Sequence, residues 1–309
     1  MLPGESRYSK VDGVNIHYVV AGGGPPVLLL HGLGASVITW RDNIGPLSQS
    51  FTVYAIDLPG HGYSDKPDWD YSPDSLLSLM THFLDSLGID RCSLIGNSGG
   101  GFLALKLALD YSQKVEGLVL VDSAGLGREL PLYIRLVTIP LLGNVLESAK
   151  IGGVGYMLRK VFYDQGFVTN GLLHELYQSH SMPGAREAVV RSVRYGASPW
   201  GLRKRVLLLD SLKDLQVPLL LVWGAEDQII PVSHAYDALR EALKAKPPSQ
   251  GLGDAIQTSQ KVGSDGEVPL ARLKVFERCG HWPHMEKAQE FNELVLNFLS
   301  SDFQSRMGK

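Results

Sequence analysis

The chain has 309 residues, 44% of them hydrophobic and 20% charged, the make-up of a soluble globular protein with enough length for one large core. Its formal charge is 29 − 32 = −3, and the densest basic stretch is Arg203-Lys204-Arg205, which excludes the phosphate-backbone footprint of a nucleic-acid binder. The longest near-apolar run, Leu136 to Leu142, is broken by Pro140 and falls far short of the roughly 20 residues a membrane helix needs.

Met1 to Lys10 is polar and lacks the apolar centre of a signal peptide. Cys92 and Cys279 stand outside any metal or redox spacing. A cytoplasmic protein with two reduced thiols is therefore expected, without a membrane partner.

In chain order, the turn Asp12-Gly13 leads into a strand over Val14–Val20. Short apolar strands follow at Val27–Leu30 and Phe51–Ile56. Helical spacing runs from Ser72 to Leu87, with Ser72 as N-cap and Pro73 at the first helical position. A strand from about Arg91 to Ile95, a helix from Gly99 to Leu109 and a strand at Val115–Val121 come next. Strands alternating with helices predict an α/β fold: a mostly parallel sheet with helices on both faces.

From about Gly125 to Gln216 prolines and helical spacing replace the strands, which return at Leu219–Trp223 and Leu273–Phe276. Glu286 to Leu299 reads as a closing amphipathic helix. Between them, residues 246–269 are rich in Gly, Ser, Gln, Asp and Pro, the composition of a solvated loop.

Gly96-Asn97-Ser98-Gly99-Gly100 sits between a strand and a helix and fits G-x-S-x-G. With 34 glycines the pattern would arise by chance roughly 0.3 times, so its placement carries the weight. A sharp strand-to-helix turn needs small flanking residues, and it raises the serine hydroxyl above the sheet edge, next to free helix N–H groups. His31-Gly32-Leu33-Gly34 directly follows a strand; the N–H groups of Leu33 and Gly99 are the candidate oxyanion hole.

Asp57-Leu58-Pro59-Gly60-His61-Gly62 is read as structural, with Asp57 capping local N–H groups. Asp227 lies just past the Leu219–Trp223 strand, where sheets of this kind gather catalytic groups; Glu226 and Asp122 are its rivals as the acid. His281 follows the last strand and is the candidate base, ahead of His284. The catalytic set is thus Ser98, Asp227 and His281, in an order unlike those of chymotrypsin and subtilisin.

On these motifs the chain resembles the α/β-hydrolase family over nearly its whole length. The resemblance implies an α/β-hydrolase core over residues 1–125 and 217–309, interrupted by a helical cap, or lid, over 126–216. Ser98 stands where the dehalogenases and epoxide hydrolases of this fold carry aspartate. Gly96-Asn97-Ser98 and Gly280-His281-Trp282 look like the meta-cleavage-product hydrolases, with Asn97 and Trp282 as substrate-binding residues; carboxylesterases share much of the pattern. The subgroup's elbow methionine is here Gly99, and Arg186, Arg191 and Arg194 are candidates for its lid arginine.

The expected activity is hydrolysis of mostly apolar small-molecule esters, with no metal or organic cofactor needed. Carbon–carbon bond hydrolysis is the alternative, and a ligand-binding receptor on a hydrolase scaffold is the reading from another class. The apolar stretch from Leu130 to Leu146 points to an acyl pocket in the lid or to a homodimer contact.

Overall fold

The computed structural model describes residues 2–140, 151–245 and 271–307. The expected 246–269 loop and residues 141–146 of the apolar stretch lie outside the described residues.

The chain opens with strands β1 (Glu5–Val11) and β2 (Val14–Ala21), an antiparallel hairpin around Asp12 and Gly13, both at positive φ. Then come β3 (Pro26–Leu30), α1 (Arg41–Leu47), β4 (Thr52–Ile56), α2 (Pro73–Ser86), β5 (Cys92–Asn97), α3 (Gly99–Asp110) and β6 (Val115–Val121). Between β6 and the next sheet strand lie α4 (Leu132–Val137), α5 (Ile151–Val161), α6 (Asn170–His180) and α7 (Ala185–Gly196). The two-residue strands β7 (Ala197–Ser198) and β8 (Gly201–Leu202) follow. The sheet resumes with β9 (Leu219–Gly224), α8 (Ser233–Ala242) and β10 (Ala271–Phe276), and α9 (Pro283–Glu286) and α10 (Ala288–Met307) close the chain.

The main sheet has eight strands in the order β1-β2-β4-β3-β5-β6-β9-β10. The pairs β1–β2 and β2–β4 are antiparallel and the rest are parallel. The period of two in a strand splits the core in two. Leu28, Leu30, Leu118, Leu120, Leu219 and Leu221 face one side, against α2, α3 and α8. Val27, Leu29, Val119, Val121, Leu220 and Val222 face the other, against α1 and α10. Burial on both faces explains why these strands read as unbroken apolar runs. Ser72 caps α2 as expected, its hydroxyl accepting from Ser75 N.

Apart from the small two-residue pair β7–β8 outside the main sheet, β1 is the one described strand absent from the sequence expectation. Its residues are mostly polar and exposed because it is an edge strand held only by β2. Among the described residues, no helix is long and apolar enough to cross a membrane. Cys92 and Cys279 are free and buried, and burial pushes the Cys92 thiol up to about 12.

Asp57 does structural work. Its fully buried carboxylate accepts from Val37 N (2.8 Å), Tyr63 N (2.9 Å) and His17 Nδ1 (2.7 Å). A Cβ on Gly62 would lie 2.0 Å from that carboxyl group, so only glycine fits beside it. Burial alone would raise the Asp57 pKa, but these hydrogen bonds and nearby His31 leave it below the usual carboxylate range. A depressed carboxylate contributes stability above its unfolded pKa, and the contribution is lost as pH falls through the folded one. Asp57→Ala should therefore lower unfolding stability at neutral pH by about 3 kcal/mol or more, with a deficit that shrinks in acid. Urea unfolding at pH 7 checks this; a loss below about 0.5 kcal/mol would refute the structural role.

Candidate active site

Ser98 stands at the junction of β5 and α3 with φ at 55° and ψ at −118°. A non-glycine residue there costs on the order of 1–3 kcal/mol and persists only where its surroundings fix it. Ser98 N donates to Val121 O (2.9 Å), and Ser98 O accepts from Phe102 N and Ala124 N (both 3.0 Å). A Cβ on Gly96 would lie 2.4 Å from Gly100 O, and one on Gly100 the same distance from Leu30 O. The glycines at both ends of the motif are thus forced by the close approach of strand, turn and helix. Gly99 is not so constrained: a Cβ there would make ordinary contact with Leu33 N at 3.6 Å.

The same construction shows that the Leu33 backbone nitrogen lies next to Gly99. As the first residue of α3, Gly99 has an N–H with no acceptor inside the helix. Both residues line the cavity that holds Ser98.

His281 Nδ1 lies 2.7 Å from Asp227 Oδ2. Asp227 Oδ1 accepts from Ile229 N (2.7 Å) and Ile230 N (3.1 Å), so both carboxylate oxygens are engaged. With Nδ1 donating to a carboxylate, the imidazole Nε2 is left as the proton acceptor.

The loops after β9 and β10 brace each other: Ala225 N donates to Phe276 O and Glu226 N to Cys279 O. The Glu226 carboxylate accepts from Cys279 N (2.9 Å), so this rival acid is spent on the backbone. The other rival, Asp122, is fully buried at the end of β6, and its carboxylate, that of Asp227 and a His281 ring nitrogen lie within 4.8 Å of one another. No other His, Cys, Asp and Glu group among the described residues is close enough to hold a metal ion, and here the His281–Asp227 bond already joins two of the three.

Three contacts tie the helical segment to the histidine loop. Val161 O accepts from His281 N (2.7 Å). The Glu286 carboxylate accepts from Gly280 N (2.6 Å) and from Asp164 N (2.8 Å). A Cβ on Gly280 would lie 2.2 Å from Val161 O, so glycine is required before the histidine. Nothing in the sequence pattern singles out Glu286: Gly280 is six residues away, but the partner that links it to the helical segment, Asp164, is 122 residues away.

Asn97, expected to bind substrate, is almost completely buried, and its Nδ2 donates to Val121 O and His281 O, both at 3.1 Å. Those two bonds lock β5 to β6 and to the histidine loop, which takes up both amide protons. Trp282 lines the cavity and packs edge-on against Phe162 of the helical segment (5.3 Å between ring centres). His284 is buried against Trp40, and burial pushes its pKa down to about 3, so it stays neutral.

The cavity over Ser98 and His281 has a volume of about 410 Å³. Its walls come from the strand ends below and from α4 to α7 above, with Leu130, Ile134, Val137 and Met157 among the apolar contributors. Among the described residues, no lysine, arginine, aspartate or glutamate lines it. Arg191, a candidate lid arginine, instead pairs with Asp68 and donates to Trp69 O, and neither Arg186 nor Arg194 reaches the cavity wall.

The alpha/beta hydrolase family model matches residues 27–294. The 2-hydroxy-6-oxo-6-phenylhexa-2,4-dienoate hydrolase of Comamonas testosteroni is 29% identical over 306 residues, covering 95% of this chain and 96% of that protein. The solved meta-cleavage product hydrolase of Pseudomonas fluorescens IP01 superposes with a TM-score of 0.76 at 28% identity, over 96% of this chain and 97% of that one. A solved N-acyl homoserine lactone degrading enzyme, Est816, is similar too, with a TM-score of 0.69 at 27% identity, over 94% of this chain and all of that one.

Proposed function

The chain belongs to the alpha/beta hydrolase family, and from that premise we propose that it is a serine hydrolase of neutral, mostly apolar carboxylic esters. Ser98 is the nucleophile, His281 the general base and Asp227 its partner. His281 Nε2 takes the hydroxyl proton as Ser98 Oγ attacks the ester carbonyl. The N–H groups of Leu33 and Gly99 receive the oxyanion, each contributing about 3–4 kcal/mol. As the intermediate collapses, His281 returns its proton to the leaving alcohol. Water, deprotonated by the same nitrogen, then releases the acid. Asp227 holds the productive tautomer and stabilises the imidazolium. The helical segment 126–216 acts as the lid that shapes the acyl pocket.

The observation that carries the ester reading is a cavity wall that, among the described residues, holds no lysine, arginine, aspartate or glutamate. A ring-fission dienoate brings a carboxylate, and burying that charge without a cation is costly. A neutral ester or lactone meets no such penalty. Carbon–carbon hydrolysis is the second reading, because relatives of that activity align over the full core at 28–29% identity.

The test is a p-nitrophenyl ester series from acetate to octanoate, run beside one ring-fission dienoate. Each added methylene buried in the cavity should contribute about 0.8 kcal/mol, roughly fourfold in kcat/KM, until the pocket is full. The dienoate should be turned over far more slowly than the best ester. A flat profile, or one falling from acetate onward, would remove the acyl pocket; a clear preference for the dienoate would install the second reading.

A further inference from the structure

Asp122 is the one buried carboxyl group beside the proposed catalytic pair that the mechanism leaves unused. It follows β6 with φ at 44°, its N–H anchored on Val222 O (3.0 Å), one residue after the carbonyl that fixes Ser98 N. Such a backbone angle is unusual for any residue other than glycine, and the carboxyl group lies beside Gly224 N and within 4.8 Å of the Asp227 carboxylate and a His281 ring nitrogen.

The two neighbouring carboxyl groups differ in their donors. Asp227 accepts from Ile229 N, Ile230 N and His281 Nδ1. Asp122 Oδ1 accepts from Gly224 N (3.1 Å), while Oδ2 is buried and receives no donor. Two carboxylates this close in a buried site do not both ionise, and the charge settles where the donors are. An unprotonated Asp122 would leave Oδ2 orphaned; a protonated one gives it an O–H to donate.

Resting on the reading of Asp227 and His281 as the acid–base pair, we propose that Asp122 is a neutral positioning acid, which holds Asp227 by donating a carboxylic O–H to it. Burial first, and the Asp227 charge second, raise the Asp122 pKa well above the usual carboxylate range, as this requires. The titratable groups around it act in the same sense or stay outside: Glu286 on α9 adds a further raising contribution, Cys279 is a buried thiol whose pKa is itself pushed up, and the Glu226 carboxylate is engaged by Cys279 N. The donated hydrogen bond fixes the orientation of Asp227. It also disperses part of the Asp227 carboxylate charge that His281 meets.

Two variants and two readouts test this. Asp122→Asn keeps a neutral donor and an acceptor for Gly224 N; Asp122→Leu keeps the bulk and removes the donor. The pH dependence of Ser98 labelling by a fluorophosphonate probe reports the ionisation of His281 without any assumption about the substrate; ester hydrolysis gives kcat and KM. Asp122→Asn should leave the acidic limb in place and kcat within about threefold of wild type. Asp122→Leu should move the limb upward by roughly half a pH unit to one unit and lower kcat about tenfold with little change in KM.

An acidic limb that moves downward in Asp122→Asn would mean that a negative charge had been removed, and would overturn the proposal. An unmoved limb and unchanged kcat in Asp122→Leu would overturn it equally. If the leucine variant does not fold, infrared difference spectra at pH 7 decide: wild type should show a protonated carboxyl band that Asp122→Asn lacks, and its absence refutes the neutral acid. That measurement needs no turnover, so it stands apart from any failure of the serine-hydrolase reading.

Discussion

Ser98→Ala should lower kcat for ester hydrolysis by about 10⁵- to 10⁶-fold while leaving the protein folded. The Ser98 side chain makes no capping hydrogen bond to α3, and the backbone bonds that fix the turn run through its N–H and C=O. Alanine therefore removes the proposed nucleophile without opening the turn, and stability should change by no more than about 0.5 kcal/mol. The proposed oxyanion hole and the cavity remain, so a residual rate of roughly 10³-fold over solvent is expected. Thermal unfolding followed by circular dichroism checks the fold, and a p-nitrophenyl ester assay checks the rate. Residual hydrolysis at a tenth of the wild-type rate would assign the attack to some other group.

Asp227→Asn should cost about 10⁴-fold in kcat. The carboxamide oxygen can still accept from Ile229 N and Ile230 N, so the loop after β9 keeps its turn. That choice points the amide nitrogen at His281 Nδ1, which must then act as an acceptor. The proton moves to Nε2, so in the proposed mechanism the histidine offers Ser98 a donor where a base is needed. The conservative change at Asp122 should stay within about threefold, since asparagine retains a neutral donor there. If the two losses were reversed in size, the acting acid would be the one at the end of β6.

Most of the architecture is legible in the sequence because the parallel strands are buried on both sides. Runs such as Val115–Val121 have no polar residue to blur them beyond Glu116, and the strand there has the expected limits. β1 fails the same test: an edge strand with both faces near water carries no apolar period, and its pairing is specified by its neighbour β2. Candidate site residues that depend on a local turn, such as Ser98, are readable because the turn's geometry forces glycine at positions 96 and 100 on either side of it. Asn97 shows the limit. The family resemblance implied a substrate contact, and Asn97 does line the cavity, but the resemblance gave no sign of its two bonds, to Val121 O and His281 O, which join segments 24 and 184 residues away. Glu286 and Asp122 belong to the same class: their roles come from groups that only folding brings together. The clearest sequence signal for the apolar cavity wall is the stretch from Leu130 to Val137, apolar but for Arg135, of which Leu130, Ile134 and Val137 line the cavity and Leu132 is exposed.

The hydrogen bond from His281 N to Val161 O has a consequence for rebuilding this protein by segment exchange. Grafting the helical segment of one relative onto the sheet of another is the obvious route to a new substrate range, and the natural cut sites are the connections that leave and re-enter the sheet. Here such a graft also transplants a piece of the histidine loop's scaffolding, because residues 161 to 164 supply it with a carbonyl, and with an N–H shared through Glu286. A chimera therefore has to import the donor's 161–164 conformation in register with the host's Gly280 and Glu286, or keep the host's own residues there as an island. Diversity introduced at α4 or α7 carries no such debt to the histidine.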